Sequence, residues 1–124
     1  MGAVDKSVRV VPLDEVEAIP LPKDSKSWMV LTGTTVPGTG NSLGYSIFKP
    51  GTVTTSVSHA VEELAYVLSG HGELRLDDGV VPFGPNKGLY IPAGVWHAVA
   101  VTGDEDVIMV FTFAYPDYPP TERK

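Results

Sequence analysis

Short apolar runs, rich in β-branched and aromatic residues and each closed by a turn signal, decide what this chain can fold into. The runs WMVL (28–31), YSIF (45–48), LAYVL (64–68) and VIMVFTF (107–113) suit strands, and few windows show apolar residues at helical spacing. Between them lie TVPGTGNS, KPG, SGHG, DDGV and TGDED, whose Gly, Pro, Asn and Asp favour turn backbones. The reading is an all-β domain with strands near 28–32, 43–49, 53–58, 64–68, 72–77, 88–91, 96–101 and 107–114. So many short strands with tight turns fit a small sandwich or a double-stranded barrel, and a small barrel can hold one ligand in its lumen.

At 124 residues, 43% hydrophobic and 19% charged, the chain suits one domain around one core. Residues 28–114 carry the strand pattern. Residues 1–27 read as an N-terminal arm with an edge strand around Val8 to Val11, and residues 115–124 as a Pro-rich tail crossing the surface. No internal repeat or low-complexity tract is present.

Charge and composition exclude several function classes. A net charge of −6 without a basic cluster disfavours nucleic acid and anionic membrane as partners. The absence of cysteine excludes disulfides, thiolate ligands and a cysteine nucleophile. The start MGAVDKSVRVV lacks the apolar core of a signal peptide, and the longest apolar run falls far short of a membrane span, so a cytoplasmic location is expected.

The three histidines, His59, His71 and His97, are scarce enough for their places to matter. His71 lies between two glycines in a turn and reads as a solvated side chain. His59, Glu63 and His97 each stand at a strand end beside a turn, where neighbouring strands of a barrel would let them converge. Two imidazoles and a carboxylate suit a divalent ion such as Fe(II), Mn, Co, Ni or Zn and leave coordination positions open. Spacing alone leaves the triplet open between ligands and ordinary solvated groups.

Residues 51–70, GTVTTSVSHAVEELAYVLSG, resemble the first motif of the cupin superfamily, G-x5-H-x-H-x3-E-x6-G. Gly51, His59, Glu63 and Gly70 match it, and Val57 stands where the first histidine belongs. The second motif, G-x5-P-x-G-x2-H-x3-N, is similar to NKGLYIPAGVWHAVAV: Pro92, Gly94 and His97 match, Asn86 takes the glycine place and Val101 the final asparagine place. The resemblance implies a single-domain double-stranded β-helix, the cupin jelly-roll barrel. It implies a metal held by His59, Glu63 and His97 without the usual fourth ligand, with Fe(II) favoured over Mn, Ni, Co or Zn, and it implies a homodimer.

Counting by twos from His97 puts Met109, Phe111 and Phe113 in the lumen with Val57; a shifted phase would put Ile108, Val110 and Thr112 there instead. In either phase the lumen is apolar and suits a small, partly apolar ligand. Glu62, Tyr66 and Trp96 are expected to face away from the metal ligands. No Arg or Lys is expected inside, since Lys49 and Arg75 lie near turns. Ala65 shares the face of Glu63, at a place where some cupin lyases carry a tyrosine base. The expected function is a metal-dependent small-molecule enzyme, foremost a non-haem Fe(II)-type oxygenase. The alternatives are an isomerase or lyase and a non-catalytic binding protein. Without metal, Glu63 would serve as a base, its pKa raised by burial.

Overall fold

In the computed structural model, residues 7–124 are described, and they form two antiparallel sheets packed face to face. The strands are β1 (Ile19–Pro20), β2 (Lys26–Leu31), β3 (Ser42–Phe48), β4 (Val57–His59), β5 (Glu63–Ser69), β6 (Gly72–Leu76), β7 (Gly79–Phe83), β8 (Lys87–Ile91), β9 (His97–Val101), β10 (Val107–Phe113) and β11 (Thr121–Arg123). One sheet runs β1-β2-β3-β10-β5-β8 and the other β11-β4-β9-β6-β7, so that strands adjacent in sequence repeatedly cross between sheets. This is the jelly-roll arrangement.

Alternation of side-chain direction along each strand becomes alternation in burial. Along β10, Val107, Met109, Phe111 and Phe113 are buried while Ile108, Val110 and Thr112 are only half-buried. The facing positions on β3 are small: Met109 pairs with Ser46 and Phe111 with Gly44. A Cβ on Gly44 would fall inside the space of the Phe111 ring, so glycine there is what lets the ring lie across β3. Large residues on one strand thus fill the room left by small ones on the next, and the same choice leaves a cavity between the sheets.

Several elements depart from the sequence reading. The chain's own N-terminal edge strand is β1 at Ile19–Pro20; residues 7–12 form no strand, and Val8 and Val10 are almost fully exposed. The expected strand 53–58 shortens to β4, with Val53 making an isolated bridge to Ala100 and Thr54 bonding Val99 through backbone and side chain. The hairpin partner β7 has four of its five residues exposed and contains Pro82, so it carries little of the signal that marks a buried strand. The C-terminal segment does more than cross the surface: it returns to the five-stranded sheet as β11, pairing with β4.

Candidate metal centre

His59, Glu63 and His97 converge at one end of the cavity, each offering a ligand atom within 4.8 Å of the others. His59 ends β4, Glu63 begins β5 and His97 begins β9. The turn before His97 ties them together. Gly94 adopts φ +80, a conformation open to glycine, and its N–H donates to the His59 carbonyl at 2.9 Å. Asn86, in the glycine place of the second motif, also has positive φ, +62, and its N–H donates to the Val67 carbonyl. The Gly94 bond fixes the β8–β9 connection against β4, and the Asn86 bond fixes the β7–β8 connection against β5.

Both imidazoles are held in the same tautomer. His97 Nδ1 donates to the Val95 carbonyl at 2.9 Å. His59 Nδ1 lies 2.8 Å from Thr121 Oγ1, whose own proton goes to the Pro119 carbonyl at 2.8 Å; the hydroxyl oxygen is therefore left to accept from His59. With both Nδ1 atoms committed, each Nε2 points at the Glu63 carboxylate, at 3.3 Å for His59 and 3.5 Å for His97. An imidazole that donates through one nitrogen to an oxygen and turns the other inward is arranged as metal-ligating histidines are. The donor set thus fits a divalent ion.

The electrostatics correct one expectation. Burial pushes the Glu63 carboxyl up, but hydrogen bonds from His59 and His97 and their charges outweigh it, and its pKa lies below the usual value. Glu63 is an anion here, and the premise of a base with raised pKa is absent. For His97, burial disfavours the charged ring, yet the Glu63 and Val95 bonds and the Glu63 charge raise its pKa overall. The carboxylate that would bind a cation also favours the protonated form of the neighbouring His97 ring.

A cavity of about 300 Å³ opens beside this cluster. Val57 lines it, directly across from His97 in strand register, and offers no ligand atom. Met109, Phe111 and Phe113 line it as well, whereas Ile108, Val110 and Thr112 do not. Ala65 faces the cavity, while Tyr66 and Glu62 lie outside it, donating to Asn86 and accepting from Tyr90 respectively. Trp96 sits outside under the Lys124 ammonium, 4.9 Å from its ring centre. His71 is exposed in the β5–β6 turn.

Two further cavity residues, Tyr118 and Arg123, and the His59 partner Thr121 come from the C-terminal segment, which the sequence reading treated as a surface tail. Tyr118 sets its ring edge-on to His59 and Phe113, at 5.5 and 5.7 Å between centroids. Thr121 holds His59, and Arg123, itself an exposed residue, borders the cavity at its mouth beside Val57, a cation the sequence reading did not weigh. Lys49 and Arg75 are engaged elsewhere, with Asp106 and Glu73. PPTERK carries no apolar alternation, and only its pairing with β4 reveals that Thr121 and Arg123 share one face.

Comparison with known proteins places this architecture. The family model described as Cupin domain matches residues 44–113. "Polyketide synthase CurC" of Streptomyces cyaneus is 36% identical over 83 residues, 66% of this chain and 54% of that protein. "5-nitrosalicylic acid 1,2-dioxygenase" of a Bradyrhizobium species is 33% identical over 66 residues, 53% of this chain and 32% of its own length. The chain thus spans about half the length, or less, of these two relatives. Among solved structures, the polyketide cyclase RemF from Streptomyces resistomycificus superposes with a TM-score of 0.78 at 21% identity, covering 94% of this chain and 85% of its own, a likeness of fold. With the family match spanning both strand-end motifs and the strands between them, the chain belongs to the cupin family.

Proposed function

We propose that the chain is a metal-dependent enzyme acting on a small, largely apolar molecule, foremost a non-haem Fe(II)-type oxygenase. One observation carries this reading: two imidazoles locked with Nε2 inward against a carboxylate, at the end of an apolar cavity. His59, Glu63 and His97 would hold the ion. A divalent ion in this set supplies Lewis acidity, and Fe(II) adds reactivity toward dioxygen. Val57 leaves the side of the cluster nearest the cavity without a protein ligand, free for an oxygen of the substrate or water. Met109, Phe111 and Phe113 wall off bulk water and offer ring faces and edges to an apolar body. The dioxygenase relative supports this reading.

A second reading, a cyclase, isomerase or lyase step without oxygen, is favoured by the likeness to CurC and to the cyclase RemF. The two are separated by one experiment. Fe(II)-loaded protein is given a panel of cyclic β-diketones and ortho-hydroxy aromatic acids in an oxygen electrode, with product analysis in air and under nitrogen. Oxygen consumed in step with product supports the oxygenase. Product formed equally under nitrogen supports the second reading. Binding without product under either condition overturns both and leaves a binding protein.

The expected homodimer draws support from the outer face of the six-stranded sheet, where Leu64, Tyr66, Leu68 and Tyr90 are 45–60% exposed in the single chain. Val8 and Val10 in the arm are exposed as well and available to a partner's sheet edge. Light scattering is expected to give about twice the 13.2 kDa chain mass, and a monomer at micromolar concentration would count against it.

A further inference from the structure

Arg123 is the one permanent cation among the described residues that line the cavity. Its place there follows from strand register. Thr121 pairs with His59 and reaches its ring with a hydrogen bond, which fixes the lumen-facing side of β11; Arg123, two residues on, presents its side chain to the same side. Arg123 pairs with Val57, and Val57 in turn pairs with His97. The guanidinium therefore stands in the row that runs across the gap left by Val57 to the metal ligands. Two strand spacings put the Arg123 and His97 backbones roughly 10 Å apart.

Other cations on this side of the molecule are already engaged. Lys124, next in sequence, is tied to Asp77 and lies over Trp96. Arg123 has no ion pair among the described residues. The carboxylate in the cavity, Glu63, is turned to the two histidines. In a chain of net charge −6, a cavity mouth with an unpaired guanidinium is a local reversal of sign, which favours an anion.

We infer that Arg123 is a subsite for a carboxylate on the ligand, so that the cavity takes an apolar, ring-sized molecule carrying an acidic group at the end away from the metal cluster. The inference rests on the reading of this cavity as the substrate site. The planar fork of a guanidinium matches a carboxylate through two parallel N–H···O bonds. The apolar body would lie along Val57 and the Phe111 and Phe113 rings, with its far end at the open side of His59, Glu63 and His97.

Calorimetric titration of chelator-treated protein with 1-naphthoate and with the neutral 1-naphthamide tests this, because without metal only the protein can supply a preference for charge. Wild-type protein is expected to bind naphthoate about tenfold more tightly than the amide, the size of one charge-assisted contact at a partly open site. R123Q is expected to lose that preference while binding the amide as before, and R123K to retain part of it. An equal affinity of the wild type for both probes overturns the subsite, as does a preference that survives in R123Q. So does failure to bind any of benzoate, naphthoate and anthracene-9-carboxylate. Zinc uptake is measured on the same samples and is expected to be unchanged in R123Q. A wild type that takes no zinc but keeps the Arg123-dependent preference refutes the metal reading alone; normal zinc uptake with no such preference refutes the subsite alone.

Discussion

The two histidines of the candidate centre are held by regions of opposite character. His97 is set by its own turn: the carbonyl that takes its Nδ1 proton belongs to Val95, two residues before it, and Gly94 in the same turn bonds back to β4. His59 is set from afar, by Thr121 at 62 positions' separation, on a strand that returns after the barrel is complete. The first anchor is a backbone atom inside the family-matched region, 44–113, and the second is a side chain outside it. The difference teaches where generality ends in this molecule. The ligand set and the His97 turn lie within the family match, whereas Thr121 and Tyr118, which contact His59, and Arg123, which borders the cavity, lie in the C-terminal segment beyond it.

The largest effect is expected from removing a ligand at the local anchor. Alanine at His97 leaves two donors, His59 and Glu63, and metal content by elemental analysis is expected to fall to background. Bound metal stabilises only the folded form, so the increase in thermal midpoint on adding metal is expected to vanish with it. Metal content equal to wild type would remove His97 from the site.

The distant anchor breaks differently. Thr121→Val keeps the side chain's shape but deletes the oxygen that accepts from His59, freeing the ring to turn or to change tautomer. Loss of such an outer partner typically costs 10–100-fold in metal affinity, and that range is expected in competition with a chelator. Thr121→Ser is expected to restore affinity. Val95→Ala is the matching change on the other side. It leaves the carbonyl in place, and metal affinity is expected to stay near wild type. If Thr121→Val binds metal as well as Val95→Ala does, the C-terminal strand has no hold on the centre and the contrast between the two regions collapses.

The same contrast explains what the sequence made legible. VIMVFTF and SLGYSIF are legible as strands from their β-branched and aromatic residues, but not in their phase: β3 buries Ser42, Gly44, Ser46 and Phe48 and leaves Leu43, Tyr45 and Ile47 half-buried, because the facing rings of β10 need the room. His59, Glu63 and His97 stand at fixed spacings from turn glycines and Pro92, so local backbone geometry carries them into view. The strands β1, β7 and β11 have mostly exposed side chains, and Pro20 and Pro82 interrupt the first two; none shows a buried period. Val8 to Val11 forms no strand within the single chain, and its expected pairing with a partner's sheet edge is a matter for the assembly. Val8 and Val10 have high strand propensity but stand exposed, and propensity on an exposed segment decides little without a partner strand. Arg123 was hidden for a related reason: its meaning depends on pairing with Val57, a relation between distant segments rather than a local pattern.

Val57 is where the two regions meet, flanked in register by Arg123 on one side and His97 on the other. Replacing it with histidine adds an imidazole at the place the cupin motif reserves for one. The gain in metal affinity is expected to be smaller than the loss in Thr121→Val, roughly severalfold. The new ring would take a place otherwise left to water or substrate, and it would stand next to the Arg123 guanidinium, whose charge disfavours the positive character that this added ring gains on binding a cation. Adding R123Q to Val57→His is therefore expected to raise affinity further, a coupling that a double-mutant cycle measures directly. Turnover with an accepted substrate is expected to fall in Val57→His, since the side of the cluster facing the cavity is then filled. Affinity that does not change would show that residue 57 does not reach the metal ligands. Affinity and turnover that rise together would show that the valine is a lost ligand and that substrate approaches from another side.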